Sequence, residues 1–361
     1  MKYGIGRHRT GGFGLLELML AMGLGLIVVA GVIVIFVAQR KVYNTSSSQS
    51  LMQDSENAIA AVVLPVARGA GFMGCGAINN GVIPYNSAAA TPLTFNTNSA
   101  VQGYTGTLPT TQKDNAANDT TTTDWNPTLD ASVATASNGG PEQGSDVLAL
   151  IGAAPGATPI GVTVPITGSP ITVNDGTQLT AINGGGPQMV AVSDCSKSAV
   201  FMATSVSKTS VAFSSGPGTT LDYRVGTQLI PLQQTVFFVA HGDGGQSALW
   251  QGVMTIPAGG TTAGAKWKMS ELVPGVVAMK VLYGIGANEA AAQYVDASKV
   301  TNWSQVVSVK LGFLVEGGIG SATIPKAPWS YTLFGNTLSM PADSRMRHVF
   351  YMTVNIRNAT L

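Results

Sequence analysis

Glu17 is the residue whose type and position most need a chemical explanation. It is the one carboxylate of an apolar stretch, and the following run from Leu18 to Ala38 holds no charged residue and no proline. An acid inside a membrane-spanning helix costs about 2.5–3.5 kcal/mol on insertion scales, so such acids are usually paired and functional. A carboxylate near the helix end can also reach the membrane interface unaided. Cleavage of the peptide bond after Gly12 would give Glu17 a partner, because it creates a free amine at Phe13. Positions 13 and 17 share one face of a helix at i,i+4 spacing. The same carboxylate could instead take the amine of a neighbouring copy in a dry surrounding, which would register one subunit against the next.

The other reactive residue types form no comparable arrangement. The histidines are His8, His241 and His348, and no Cys/His cluster has zinc spacing. The loop His241-Gly242-Asp243-Gly244-Gly245, even with Asp222, lacks the acid spacing of an EF-hand. No Gly-x-Ser-x-Gly elbow occurs. Gly284-Ile285-Gly286-Ala287-Asn288-Glu289 partly copies a dinucleotide fingerprint, but Glu289 stands where the third glycine belongs. It reads as a loop between strands. The five tryptophans are scattered and read as core or loop anchors. These observations offer no catalytic constellation, no metal site and no cofactor.

The elements that position Glu17 come first in the chain. A basic leader holds Lys2, Arg7 and Arg9 and no acid. Leu18–Ala38 is long enough to cross a hydrocarbon core as a helix. A secretory signal would be shorter and would end in a small-x-small cleavage site, whereas this run ends in Gln39-Arg40-Lys41. The helix is therefore expected to stay with the mature protein. The balance of basic residues favours a cytoplasmic N-terminus. Helical character continues amphipathically over 39–70, with Leu51, Ala58, Ile59, Val62 and Val63 among polar residues, and ends between Pro65 and Ala70 before a glycine cluster. The two cysteines, Cys75 and Cys195, suit a disulfide in an oxidising compartment, the alternative being two buried free thiols.

The residues around Glu17 resemble a known signal. Gly12, Phe13 and Glu17, after a basic leader and before an apolar helix, are similar to the class III signal of type IV prepilins. The resemblance implies that residues 1–12 are a leader removed by a prepilin peptidase. It implies that Phe13 becomes a methylated N-terminus and that Glu17 is the subunit-docking carboxylate. Major pilins usually carry a proline part-way along this helix, and none occurs between Phe13 and Leu64. Arg68-Gly69-Ala70-Gly71-Phe72-Met73-Gly74-Cys75 resembles the PilW family of minor pilins. Further echoes are Gly144–Leu148, Ser193-Asp194-Cys195, Glu271–Val276, Trp303-Ser304 and Arg347–Phe350.

The remainder, 71–361, reads as a β-rich globular domain. Charged residues are only 10% while 45% are hydrophobic, which excludes both disorder and a basic nucleic-acid footprint. Residues 79–145 read as a polar, loop-rich surface insertion with little to bury. Beyond them, 277–283, 306–316 and 349–357 alternate with period two, as antiparallel strands with one wet face do. Lys280, Ser308, Lys310 and Glu316 fall in the polar sets. The expected fold is α+β and pilin-like, a long N-terminal helix followed by an antiparallel β-rich domain. The resemblance implies a structural protein and not an enzyme. It would be a minor pilin that primes type IV pilus assembly and enters the filament near its tip. Implied partners are prepilin peptidase, other minor pilins, the major pilin, the inner-membrane assembly platform, a tip adhesin and membrane lipid. The implied location is the inner membrane with a periplasmic head, then the pilus. A type II secretion pseudopilin of the J type and an adhesin carried on a pilin stem are the alternatives.

Overall fold

A single helix, α1 (Leu15–Gly69), runs for 55 residues, about 82 Å at 1.5 Å per residue. The computed structural model describes residues 14–75, 82–84, 99–108, 118–136, 139–218, 222–256, 265–287, 290–322 and 328–356. The unbroken apolar run carries the first half of α1. The Ser46-Ser47-Ser48 run does not interrupt it. Pro65 lies inside the helix, which persists only one further turn. Ala70 is already extended, and Gly71 at φ 78° turns the chain away.

The strands follow in chain order. They begin with β1 (Val82–Pro84), β2 (Val101–Gly106) and β3 (Trp125–Asn126), then a short helix α2 (Ala131–Ala134). Next come β4 (Val147–Ala153), β5 (Ile160–Gly161), β6 (Ile171–Thr172), helix α3 (Thr177–Asn183), β7 (Gln188–Ser193), β8 (Ser198–Val206) and β9 (Ser210–Phe213). The C-terminal part holds β10 (Gln228–His241), β11 (Ser247–Thr255), β12 (Lys266–Pro274), β13 (Val276–Ala287) and β14 (Ala290–Val295). It closes with β15 (Val306–Glu316), β16 (Trp329–Leu333), β17 (Asn336–Met340) and β18 (Arg347–Asn355).

Among the described residues all strand pairs are antiparallel except β1 with β8. The longest strand, β10, organises a 12-stranded sheet by changing partners along its length. Its start, Gln228–Pro231, pairs with β7. Its remainder pairs with β4 on one side and β11 on the other. The changeover falls at Pro231, which has no N–H to give a ladder. A second sheet has the order β14-β13-β15-β18, and β16 with β17 forms a hairpin.

Two main cores result. The larger joins the inner face of α1 to the β4–β10–β11 region and to β13, β15 and β18, through residues such as Ile59, Val63, Leu148, Phe238, Met279 and Phe313. The second fills a lobe within 154–231, around Phe201, Tyr223, Val190 and Leu229. A small third cluster lies under the β16–β17 hairpin.

Three expectations are corrected. β15 has no continuous wet face: Ser308 and Glu316 are buried, Ser308 against Tyr294, while the β16–β17 hairpin covers Leu314. In β13, Val277 does not share a face with Met279, Val281 and Tyr283. A register shift between Val276 and Ala278 turns Val277 toward the hairpin cluster instead. Within 79–145, the described part is not merely surface loop. β2 is a sheet strand beside β4, and Tyr104, Trp125, Leu129 and Val133 are buried in the main core.

Candidate functional site

The N-terminal half of α1 is bare. From Leu15 to Ser47 no residue is buried, although the run is dominated by Leu, Val, Ile and Met. It is apolar and long enough to cross a membrane. Glu17 lies in its first turn, exposed, with Gly14 as N-cap and no side-chain cap. Gly12 and Phe13, the expected cleavage and methylation positions, lie outside the described residues. The structure therefore places Glu17 at the tip of an uncovered apolar rod.

The C-terminal half is seated. Ser48, Met52, Ile59, Val63 and Ala67 are buried on one face, at helical spacings. Where the rod leaves the head, glycines bring the backbones together: a Cβ at Gly317 would stand 2.7 Å from Ser48 Cβ. Thr45 Oγ1 donates to the Ser321 carbonyl at 3.1 Å. One helical stretch further on, Glu56 Oε1 meets His348 Nδ1 at 2.6 Å. At the far end, Gly71 N–H donates to the Ile151 carbonyl at 2.8 Å, and Ala70 bridges to Gly152. A side chain at Gly152 would strike the Gly69 carbonyl at 2.4 Å.

Beneath the seat lies a charged scaffold. Arg347 and Glu316 are fully buried side chains. Arg347 donates to both Asp343 oxygens, at 2.9 and 2.6 Å, and to Glu316 at 3.2 Å. Arg345 donates to the other Glu316 oxygen at 2.8 Å. Partial burial pushes the Asp343 carboxyl up, but hydrogen bonds from Arg347 and from the Arg345 N–H outweigh it and hold it below the ordinary carboxylate range. A second buried pair, Lys280 with Asp146 at 2.8 Å, ties β13 to the start of β4. Lys280 also donates to the Gly106 carbonyl, and Asp146 accepts from Val281 N–H and Gly106 N–H. Burial pushes the Asp146 carboxyl up, against the pull of Lys280 and these donors. Neither network was read from the sequence. The available signal was a lone charge inside an apolar strand, Lys280 in β13 and Glu316 closing β15.

Cys75 and Cys195 are joined, with S–S 2.09 Å. Both are exposed and not buried thiols. Cys195 sits at φ 69° in the turn between β7 and β8. Asp194 shapes that turn by accepting from Ser196 N–H and Lys197 N–H and by pairing with Lys197 at 2.5 Å. The bond links the segment just past α1 to the second lobe, 120 positions along the chain.

A cleft of about 630 Å³ opens between the end of α1 and the sheet, lined by Val62, Pro65, Val66, Leu150, Gln233 and Gln251 among others. No titratable side chain lines it. Among the described residues no cluster of His, Cys, Asp and Glu is arranged to hold a metal. The arrangement is mechanical: an uncovered rod, a seat, a cross-link and two buried braces.

Residues 236–358 match the family model described as Type IV Pilus-assembly protein W, PilW. The match runs from the second part of β10 past the end of β18, so the second lobe lies outside it. A type IV-like pilin from Thermus thermophilus is similar in structure at 20% identity and a TM-score of 0.22, covering 52% of this chain and 93% of that one. No curated protein matches the chain. The C-terminal third is thus similar to PilW.

Proposed function

We propose that this chain is a minor pilin that primes type IV pilus assembly and enters the filament near its tip. The observation that carries the reading is the division of α1 into a bare apolar half and a half seated on a head whose C-terminal part matches PilW. A rod of this kind is stable only if something else covers it, either lipid or other helices. The precursor spans the inner membrane with its head in the periplasm. Prepilin peptidase removes residues 1–12, and the amine of Phe13 is methylated. The rod then leaves lipid for a bundle formed with other minor pilins and the major pilin. In that dry bundle Glu17 meets the amine of a neighbouring subunit, and the assembly platform adds further subunits below. Load on the rod enters the head through the seat, through the Ala70–Gly152 bridge and through the Cys75–Cys195 bond.

The test is deletion of the gene with a count of surface pili, in strains with and without the retraction motor. Loss of pili with retraction, restored in part when retraction is removed, is the expected result for a priming subunit. Normal pili in both strains would overturn the reading. Complementation with Glu17→Ala is expected to give a processed protein that fails to restore pili. Full restoration would remove Glu17 from the mechanism. Mass spectrometry of protein from cells with prepilin peptidase should find methylated Phe13 at the N-terminus, and an intact Met1 would contradict the cleavage step.

A further inference from the structure

The loop 317–322 carries an isoleucine that the fold does not bury. Ile319 is 76% exposed, in the run Gly317-Gly318-Ile319-Gly320 between β15 and the segment before β16. The loop is firmly built. Gly317 N–H donates to the Met346 carbonyl at 2.8 Å, and Gly320 N–H to Ser344 Oγ at 3.0 Å. Ala322 N–H donates to the Ser344 carbonyl at 2.8 Å, and Ser321 Oγ closes the turn onto the Gly318 carbonyl at 2.6 Å. Met346 N–H in turn donates to Ser321 Oγ at 2.8 Å. A loop tied at this many points holds its apolar tip, Ile319, in an exposed position.

The position of the loop along α1 gives the exposure a meaning. Gly317 lies against Ser48, Ser321 receives the hydrogen bond from Thr45, and Gly320 lies beside Asn44. The loop therefore descends the rod toward its apolar half. Asn44 follows Ala38, the last residue of the uncharged run, by six residues, about 9 Å of helix rise. The headgroup layer on each side of a hydrocarbon core is roughly 5–8 Å thick. Between Ala38 and Asn44 stand Arg40, Lys41 and an exposed Tyr43, residue types that suit lipid phosphates and the interfacial zone.

We propose that loop 317–322, with Ile319 at its tip, is a second membrane contact that seats the head on the bilayer surface where the helix emerges. The proposal rests on the reading that Leu18–Ala38 spans a membrane. The helix supplies the anchor, and the loop fixes how the head stands on it. When the rod moves from lipid into a filament, this contact is the part of the head that must let go of the bilayer.

The test uses the full chain reconstituted in vesicles of phosphatidylethanolamine and phosphatidylglycerol, with an environment-sensitive fluorophore on one introduced cysteine. The native cysteines are paired with each other, so the introduced thiol is the one labelled. Three positions are compared: Leu26→Cys in the apolar run, Ile319→Cys at the loop tip, and Ile182→Cys, exposed on the second lobe. Expected is a blue-shifted emission, quenched by spin-labelled phosphatidylcholine, at both 26 and 319, and neither effect at 182. Quenching at 26 without quenching at 319 overturns the loop contact and leaves the spanning helix intact. Absence of quenching at 26 overturns the spanning helix, and the loop contact with it. Equal quenching at 319 and 182 would mean unspecific adsorption of the head and would also overturn the proposal.

Discussion

The two halves of α1 share one backbone conformation and differ in everything that holds them. Leu15–Ser47 buries nothing, while five residues between Ser48 and Ala67 are buried on the head. In the bare half the helix's own hydrogen bonds satisfy the backbone, and its apolar side chains suit it to a membrane interior. The seated half contains Ser48, Asn57 and Pro65, residues of low helix propensity. It is held by tertiary packing instead. Helicity alone therefore says little about where the rod is supported. Burial does, and it divides the rod near Ser48.

That comparison can be attacked where it is strongest. Asp146→Ala leaves Lys280 as a buried, unpaired cation in the platform under the seated half, and breaking such a pair costs about 3–5 kcal/mol. Urea denaturation in detergent should show this loss in the head, with the helicity of the bare half retained. Next, Ile59→Ala deletes a fully buried side chain of the seat and should cost about 2–5 kcal/mol. Ile33→Ala removes an equally large side chain from the bare half and should leave head unfolding unchanged in the same detergent. Similar losses for the two variants would erase the division.

Smaller effects sharpen the boundary. Glu56→Gln weakens the contact with His348, whose side chain is 60% exposed, so the expected loss is at most about 1 kcal/mol. Acid should act on the brace below. The carboxyl of Asp343 is held below its ordinary range, so its contribution to stability is present above the unfolded value of about 4 and is lost as pH falls through the depressed folded value. Melting temperatures at pH 5 and pH 3 should therefore differ less in Asp343→Asn than in the parent chain. An identical difference would exclude Asp343 from the acid response.

The sequence was most legible where one residue's neighbours decide its fate. The apolar run and the period-two strand β18 both depend on local pattern. What remained hidden depended on distant segments. Lys280 looked like a solvated residue because its partner, Asp146, stands 134 positions earlier. Glu316 looked exposed because Arg347, which opens β18, and Arg345 just before it approach from a distant part of the chain. The 79–145 segment looked polar by composition, yet Trp125 and Tyr104 reach the core from it. The second lobe gave no signal as a separate core, because its strands alternate like those around them.

Strand β10 has one more consequence. It is a member of the second lobe at Gln228 and of the main sheet at His241, with ladder partners along both stretches. The lobe is thus no pendant on a flexible tether. Twisting it about the main sheet would shear two hydrogen-bonded ladders at once, and the Cys75–Cys195 bond adds a second point of attachment. A push on the lobe's outer surface has no swivel in which to dissipate. It is passed along β10 to the sheet on which the rod rests.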